Sequence, residues 1–350
     1  MIAAREAIAQ LEFMLGPPTA TAIFKKHAKD FCVTEDLGFE LSGEGEHHCF
    51  QIRKTELSTP QVVRQLAQAA GVKEHDIGYA GLKDRMGVCV QWFSVYQPHQ
   101  REIDTSALES ENLEILQRTR NSRKIRRGSH KRNEFVIRLR DIDPQAGEGL
   151  AQRLQVISVE GVPNYFGEQR FGNENSNVKM AHKLFAGSLK LRRGFQKGML
   201  LSAARSFVFN ELLSLRVGTR QWNTYISGDV MNLAGTESVF VPQLWDDTLQ
   251  ERLHSADIHP TGALWGDGDL RTRDEARAVE LAVAQEHSAL CQGLQQAGVK
   301  QARRSLRLIA EALRWQFIDN DLEVRFALPP GAYATSVLRE VCGLKEAIDE

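Results

Sequence analysis

One stretch of the chain combines a flexible turn with residues that could perform chemistry. Residues 78–95 begin with a turn marked by two glycines, carry Lys83 and Asp84 side by side, and continue as an apolar, β-rich segment. Turns expose side chains while the scaffold fixes their position. Asp84 is therefore a candidate general base or nucleophile. The same pattern also fits an ordinary turn aspartate that bonds local backbone, or a surface ion pair.

Several other kinds of active site do not fit the sequence. The turn resembles a phosphate-binding loop, but Lys83 is followed by Asp84 rather than Ser or Thr, and the glycine spacing differs. His47, His48 and Cys49 are adjacent on a predicted strand and would point to alternate faces, so we expect no metal site. The chain contains neither a Gly-x-Ser-x-Gly elbow nor a Gly-x-Gly-x-x-Gly dinucleotide motif.

A strongly basic segment follows the candidate site. Residues 118–132 contain no acidic residue and carry Arg118, Arg120, Arg123, Lys124, Arg126, Arg127, Lys131 and Arg132. Taken alone, this segment fits a solvated loop. Asn133 and Phe135 follow it directly, and cations, an amide and an aromatic ring are the groups that hold phosphates, bond a base edge and stack on a base. The segment therefore indicates an RNA-binding surface.

The overall composition bounds the class of protein. A chain of 350 residues with 42% hydrophobic and 25% charged residues predicts a two-domain globular protein. Its 44 basic and 45 acidic residues nearly cancel, so a nucleic-acid surface must come from local clustering. Five cysteines without a CxxC pair fit a reducing compartment. Without a signal-like start or a long apolar run, we expect a cytoplasmic protein.

Local patterns place the candidate site between recognisable elements. We predict strands at residues 22–24, 31–35, 49–53, 88–95 and 135–139. A helix is predicted between the third and fourth of these strands, with Thr59 as N-cap, Pro60 at the first helical position and Gly71 as the left-handed terminator. Asp84 thus follows a helix and precedes a strand.

The second half of the chain changes character. Residues 161–172 predict a structured boundary loop, after which helical patterns dominate at residues 177–185, 201–215 and 274–296. The tract 299–317, with Arg303, Arg304 and Arg307, is predicted to be a helix of mixed polarity. Strand character returns at residues 322–328, and residues 333–341 predict a final helix. The fold class is therefore α+β.

Five separated motifs resemble those of the TruD family of tRNA pseudouridine synthases. They are DFCVTE at residues 30–35, GLKD at 81–84 with Gln91 and Ser94, NEF at 133–135, PNYFGEQRFG at 163–172, and LPPGAYATSVLRE at 328–340. Any one would be weak, but five in order along the chain are specific. Tyr333 is a departure from family members that carry Phe at this position.

The resemblance implies a fold and an activity. It implies a pseudouridine-synthase catalytic domain with a central, mostly antiparallel sheet at residues 1–160 and 309–350, interrupted by a TruD-specific insertion at 161–308. It implies isomerisation of a tRNA uridine to pseudouridine, usually uridine-13 of the D arm, as in tRNA(Glu). No cofactor or metal is implied. The expected partner is tRNA, with no membrane and no obligate protein partner, and we expect a monomer.

The resemblance also implies roles for individual residues. Asp84 matches the catalytic aspartate, and Phe31, Asn133, Phe135 and Tyr333 match residues around the substrate. An ionised aspartate in a closed pocket needs a nearby cation, for which Lys25 is the first candidate and Arg339 the second. Contacts to the RNA backbone are expected from Lys83, Arg123, Lys124, Arg126, Arg127, Lys131 and Arg132.

Two other functions compete with this interpretation. A non-catalytic tRNA-binding protein or RNA chaperone would need the basic segment and the aromatics, but not the intact Lys83-Asp84 motif. An RNA-modifying enzyme of another reaction type, such as a methyltransferase, would require a cofactor loop. The absence of a glycine-rich cofactor motif disfavours the methyltransferase.

Overall fold

The structure, a computed structural model, describes residues 11–98, 102–192 and 194–346. Within these ranges the chain forms eight α-helices: α1 (Thr59–Ala70), α2 (Gly147–Glu160), α3 (Ser176–Phe185), α4 (Phe195–Gly218), α5 (Asp247–His254), α6 (Asp274–Glu286), α7 (Ser288–Gln296) and α8 (Ala334–Val341). The strands of the first half are β1 (Thr21–Phe24), β2 (Phe31–Asp36), β3 (His47–Thr55), β4 (Ile77–Tyr79), β5 (Val88–Tyr96), β6 (Leu113–Asn121), β7 (Arg132–Leu139) and β8 (Val162–Pro163). Those of the second half are β9 (Met231–Leu233), β10 (Val239–Phe240), β11 (Ile258–Leu264), β12 (Ala302–Ser305), β13 (Arg307–Leu308), β14 (Glu311–Ile318), β15 (Asp321–Leu328) and β16 (Gly343–Glu346).

The described residues divide into two compact units. The large-sheet unit contains Thr19–Leu154, Ala310–Gly331 and the described part of Cys342–Glu350. The helical unit contains the described part of Met1–Pro18, Gln155–Ile309 and Ala332–Val341. This division begins the helical unit at residue 155, whereas the sequence suggested a boundary at 161. It also assigns residues 332–341 to the helical unit.

An eight-stranded sheet forms the large-sheet unit. Its strand order is β14-β15-β7-β2-β5-β3-β6, with β4 paired to the side of β5. Only the β2–β5 pair is parallel, with Cys32 opposite Val88, and the other neighbours run antiparallel. The mostly antiparallel sheet and the α+β class expected from the sequence are therefore confirmed. Strands β2 and β5 lie in the middle of the sheet, and the loop that carries Asp84 leads directly into β5.

Helix α1 covers one face of this sheet. Its apolar side chains Val62, Val63, Leu66, Ala67 and Ala70 are buried and pack in one cluster with residues of β3 and β5. The predicted terminator is confirmed, since Gly71 has φ +65°. The predicted N-cap was one residue late. Ser58 is the N-cap, and its hydroxyl accepts a hydrogen bond from the Gln61 backbone N–H.

The helical unit packs around α4. Helices α3, α6 and α7 and strand β11 contact α4, and side chains such as Leu200, Phe209 and Leu213 are buried in their shared core. A four-stranded sheet in the order β10-β9-β11-β12 and the β8–β13 pair complete the unit. Buried ion pairs join Arg216 to Asp229 at 2.9 Å and Arg303 to Glu280 at 2.8 Å.

Two helix predictions were wrong. The tract 299–317 is not helical, because β12 pairs with β11, β13 pairs with β8, and β14 pairs with β15. Its arginines mimic a mixed-polarity helix in sequence, but Arg307 is buried and donates to backbone carbonyls, including that of Glu160. The predicted long helix at 274–296 is two helices that meet at His287. Tertiary strand pairing overrides local propensity in the first case.

Candidate active site

The loop that carries Asp84 joins β4 to β5 and is anchored to α1. Thr59, at the start of α1, accepts a hydrogen bond from the Lys83 backbone N–H at 3.0 Å through its hydroxyl. The same hydroxyl donates to Gln91 Oε1 at 3.1 Å, and the Gln91 amide donates to the Gly81 carbonyl. These bonds fix the loop immediately before Asp84 to both a helix and a strand.

A buried lysine holds the backbone of Asp84 itself. Lys54 on β3 has no exposed surface, and its ammonium donates to the Asp84 carbonyl at 2.7 Å and to the Leu57 carbonyl at 2.6 Å. Burial lowers the pKa of Lys54, although the nearby acidic groups of Cys89 and Asp84 oppose this shift. Bonding through the backbone carbonyl leaves the Asp84 carboxylate available to face elsewhere.

The far side of the loop is fixed by a close approach to β2. A Cβ built on Gly87 would lie 2.6 Å from the Phe31 backbone oxygen, and its φ is +152°. Any side chain at this position would collide with the β2 backbone. The loop therefore enters β5 in contact with the residue that the sequence placed beside the substrate.

Lys25 is the cation that lies beside Asp84. Its ammonium is 3.6 Å from Asp84 Oδ2, and the two side chains are 19% and 31% exposed. The same ammonium lies 3.9 Å from the centroid of the Phe31 ring and 5.2 Å from that of Phe24. Cation–π contacts of this length help to hold an ammonium in place. A half-open carboxylate with an adjacent positive charge is suited to act as a nucleophile or a base.

An aromatic row runs away from Lys25 across neighbouring strands. Phe31 lies 5.6 Å from Phe24 and 6.0 Å from Phe135, and Phe135 stacks on Phe326 at 5.3 Å between ring centroids. Phe31 is 3% exposed and Phe135 is 8% exposed. Of these two predicted substrate residues, Phe31 contacts the lysine beside Asp84 and Phe135 packs behind Phe31, and both are largely covered by protein.

Lys83, the neighbour of Asp84, points into the protein. Its ammonium lies 2.9 Å from Glu35 Oε2, with the two side chains 6% and 0% exposed, and it also donates to the Asn133 side-chain oxygen. Glu35 accepts from the Trp92 backbone N–H as well, and burial raises the pKa of Glu35 against the opposing effect of Lys83. A phosphate contact was expected from Lys83, but a sealed ammonium does not reach the surface. Its contacts are those of a positioning residue.

Asn133 is held between Lys83 and a neutral histidine. Its Nδ2 lies 3.1 Å from His130 Nε2. Burial, and secondarily the charge of Lys83, lowers the pKa of His130 to about 4. The Asn133 amide is thereby oriented on both sides, which suits a group that must present a fixed donor or acceptor to a base.

Two predicted site residues lie in the helical unit. Arg339 donates to the Leu11 carbonyl at 2.8 Å and to the Glu12 carbonyl at 3.1 Å, and it pairs with Glu340 at 3.2 Å. The Tyr333 hydroxyl accepts from Arg170 Nε at 3.0 Å. The contacts described for both side chains are with residues of their own unit, whereas Asp84, Lys25, Phe31, Asn133 and Phe135 come together in the large-sheet unit.

The basic segment is part strand and part surface loop. Residues 118–121 end β6, and the loop that follows exposes Arg123, Arg126, Arg127 and Lys131. Arg127 donates to the Tyr79 hydroxyl at 2.8 Å, and the half-buried Lys124 donates to the His75 carbonyl. Arg132 is different, because it forms ion pairs with Asp36, Glu134 and Glu311 at 3.0–3.6 Å.

Two buried charged residues of the site, Glu35 and Lys54, were not predicted, although the alternation of their strands indicates both. Glu35 follows Phe31 and Val33 on the buried face of β2, and Lys54 follows Phe50 and Ile52 on the buried face of β3. A charged residue at the third position of an apolar alternation indicates a buried charge that needs a partner. Among the described residues, no cluster of three or more His, Cys, Asp or Glu side chains could hold a metal ion. None of the described helices is long and apolar enough to cross a membrane.

Comparison with known proteins gives consistent results. The family model "tRNA pseudouridine synthase D (TruD)" matches residues 9–190 and 179–341. A protein named tRNA pseudouridine synthase D from Nitrosococcus oceani is 44% identical over 337 residues, covering 95% of this chain and 94% of the relative. Its counterpart from Aeromonas salmonicida is 42% identical over 338 residues, covering 97% and 95%.

A solved structure shares the fold. The crystal structure of the putative tRNA pseudouridine synthase D from Methanosarcina mazei superposes with a TM-score of 0.69, covering 95% of this chain and 94% of that chain. The two sequences are 19% identical, so this similarity concerns the fold alone.

Proposed function

Because the chain belongs to the tRNA pseudouridine synthase D (TruD) family, we propose that it converts a uridine of tRNA to pseudouridine, with Asp84 as the catalytic residue. The resemblance drawn from five separated motifs is confirmed by the family match, and the pseudouridine-synthase fold by the structural relative. The observation that carries the catalytic assignment is the half-exposed Asp84 carboxylate beside Lys25, on a loop whose backbone is bonded on both sides.

The substrate position proposed is uridine-13 in the D arm, with tRNA(Glu) as an example. This position follows from the family resemblance of the sequence. A base in folded RNA is stacked and cannot reach a side chain, so the uridine must be flipped out before reaction. Phe31, whose ring contacts the Lys25 ammonium beside Asp84, and Phe135 are proposed as the apolar residues next to the base, and the oriented amide of Asn133 as its polar partner.

Asp84 acts at the ribose of the flipped uridine. Its carboxylate either attacks C1′ as a nucleophile or removes a proton from the sugar as a base. In both routes the bond from N1 to C1′ breaks, the base rotates, and a bond from C5 to C1′ forms. The C5 proton is lost and N1 gains a proton, and in the second route the proton taken from the sugar returns to the same carbon when the new bond forms. Both routes therefore balance without an oxidant, a reductant or an added group. Lys25 keeps a positive charge beside the carboxylate.

The remaining residues divide between binding and positioning. We assign the RNA backbone to the cationic surface of the large-sheet unit, formed by Arg123, Lys124, Arg126, Arg127, Lys131 and Arg132. Arg132 is already neutralised by three carboxylates and contributes least. Tyr333 is proposed as a substrate contact of the helical unit. Lys83 serves to position Asn133 and the loop.

The domain assignment is proposed on the same grounds. Residues 1–160 and 309–350 form the catalytic domain, and residues 161–308 form the insertion. The large-sheet unit, which contains Asp84, Lys25, Phe31, Asn133 and Phe135, supports residues 19–154 and 310–331 of the first domain. Residues 155–160 and 332–341 group with the helical unit instead.

The direct test is to incubate the purified protein with unmodified bacterial tRNA(Glu) and to map pseudouridine by carbodiimide-stop sequencing. We expect one new stop at uridine-13. A matched tRNA with cytidine at this position should give none. A stop elsewhere would retain the activity and overturn the position. Tight tRNA binding without any new stop would instead support a non-catalytic RNA-binding protein.

A further inference from the structure

A groove beside the basic segment contains an aromatic ring that the proposed chemistry does not use. It has a volume of about 580 Å³. Its lining residues are Phe39, Asn121, Ser122, Arg123, Lys124, Ile125, Arg126 and Ser129. The lining includes three cations and no carboxylate, and it differs from the residues gathered around Asp84.

Phe39 is held in an exposed position by a rigid turn. Phe39 is 47% exposed, and although singly exposed apolar side chains are common on proteins, this one borders a groove that contains three cations. The preceding Gly38 has φ +73°, and its N–H donates to Asp36 Oδ1 at 2.8 Å. A Cβ on Gly38 would lie 2.4 Å from Lys131 Cβ, so only glycine lets this turn press against the basic segment. The Lys131 N–H also donates to the Asp36 carbonyl at 2.9 Å.

The floor of the groove is equally fixed. Asn121 Oδ1 accepts from the Ser42 N–H at 3.1 Å, and the Ser42 hydroxyl accepts from the Ser122 N–H at 3.1 Å. Asn121 also donates to the Arg123 carbonyl at 2.8 Å, and the Ile125 N–H donates to Ser94 Oγ at 2.9 Å. Because these residues are already held in place, binding of a ligand in the groove loses little conformational entropy of the protein.

Phe39 lines two cavities of different charge, and only one of them suits a phosphate-bearing ligand. Arg123 and Arg126 are exposed on the groove side. Phe39 also borders a second cavity of about 500 Å³, whose lining includes four carboxylates and no basic residue. Lys83 and Arg132 pair with three of these carboxylates, but the first cavity, with three cations and no carboxylate, is the more favourable for phosphates. An exposed ring beside cations is the arrangement by which proteins bind single-stranded nucleic acid.

We propose that this groove binds an unstacked nucleotide of the RNA, distinct from the reacting uridine. The base stacks on Phe39, and the adjoining phosphates contact Arg123 and Arg126. This inference rests on the proposed function, since it assigns a second contact to the same tRNA substrate. Because one face is aromatic and the other cationic, the site takes a base by its π-face and tolerates different base identities.

The first test compares tRNA binding by wild-type protein, Phe39→Ala, Phe39→Trp and the control Phe317→Ala. Phe317 is a 40% exposed phenylalanine on β14 of the same unit. Loss of one base–aromatic stack weakens binding about 10-fold. We expect that loss in Phe39→Ala, recovery in Phe39→Trp, and unchanged affinity in Phe317→Ala. Wild-type affinity in Phe39→Ala, or failure of Phe39→Trp to recover, would overturn the proposal.

The second test separates stacking from charge. We expect Phe39→Ala to leave the slope of log affinity against log salt unchanged, whereas Arg123→Gln with Arg126→Gln should reduce it by about 0.7 to 0.9 per lost phosphate contact. A short oligouridylate should bind wild-type protein more tightly than the matching abasic oligomer, and Phe39→Ala should lose this preference. Equal binding of the two oligomers to wild-type protein would contradict stacking.

The same samples distinguish the two proposals. If wild-type protein forms pseudouridine but Phe39→Ala binds tRNA normally, the groove assignment fails and the activity stands. If the oligomer preference depends on Phe39 but no pseudouridine forms, the activity fails while the nucleotide site stands as an RNA contact.

Discussion

Two adjacent residues of one loop form ion pairs with opposite character. Lys83 is paired with Glu35 at 2.9 Å in a site where the side chains are 6% and 0% exposed. Asp84 is paired with Lys25 at 3.6 Å in a site where they are 19% and 31% exposed. One pair is buried in the protein and the other is partly exposed to solvent.

The difference in burial gives the two pairs different roles: the buried pair stabilises the loop, and the exposed pair can take part in the reaction. A sealed pair is costly to disrupt because removing one partner leaves a buried charge, so it fixes the loop. A half-open pair contributes little to stability because water screens it, and it can be rearranged when a substrate arrives. The buried Lys83 therefore fixes the position of the loop and so of the neighbouring, partly exposed Asp84. Four predictions test this contrast.

The largest effect is expected from Asp84→Asn. Removing the carboxylate should reduce the rate of pseudouridine formation about 10⁴-fold or more, while tRNA affinity stays near that of the wild type. Single-turnover rates and filter binding measure the two quantities. Asp104→Asn, at an exposed loop position of the same unit, is the control and should retain activity. Appreciable pseudouridine formation by Asp84→Asn would end the catalytic assignment.

The sealed pair should respond chiefly in stability. Glu35→Leu leaves the Lys83 ammonium buried without its carboxylate, which we expect to cost about 3–5 kcal/mol of unfolding free energy. The double variant Glu35→Leu with Lys83→Met removes both charges and should recover most of this loss. Denaturant titration measures each. A single variant as stable as the wild type would show that the pair does not fix the loop.

Low pH should reduce the stability of the buried cluster of Lys83, Asn133 and His130 through protonation of His130. Its pKa is lowered from 6.5 to about 4 in the folded protein, so between these values the unfolded chain binds a proton that the folded chain does not. The free energy of unfolding should therefore fall as the pH drops from 6.5 to 4, by about 3 kcal/mol from this residue.

Denaturant titrations at several pH values test the contribution of His130. His130→Gln should flatten the acid dependence by that amount. An equally steep loss in His130→Gln would assign the effect to other groups.

The open pair should give the smallest change in stability. Lys25→Met should alter the unfolding free energy by less than about 1 kcal/mol, yet slow pseudouridine formation about 10-fold by removing the charge beside Asp84. Lys26→Met is a matched control, because the neighbouring lysine pairs with Asp141 at 3.3 Å instead. Lys25→Arg keeps the charge and should retain more activity. A stability loss comparable to that of Glu35→Leu would erase the contrast between the two pairs.

Local patterns were sufficient for elements whose signals are short-range. The terminator of α1 depends on residues within one helix, and β2, β5 and β15 depend on alternation or apolar content within one strand. The N-cap prediction was one residue late, because Ser58 and Thr59 are adjacent and both residue types favour this position. The helix prediction for residues 299–317 was wrong because the tract forms strands with partners that local patterns do not show. Two of these partners, β11 and β8, are distant in sequence. The helix pattern of its arginines reflects ion pairs and carbonyl contacts made after folding.

The sequence by itself determined the family, the mixed class and the candidate aspartate, because motifs and alternation are written into neighbouring residues. Only the tertiary structure decided which way each charge of the Lys83-Asp84 dipeptide faces. That choice depends on Glu35, Lys54 and Lys25, which come from three other strands or turns. Burial and partner distance, which arise only when those segments meet, decide that the Lys83 side chain is buried against Glu35 and that the Asp84 carboxylate is partly exposed.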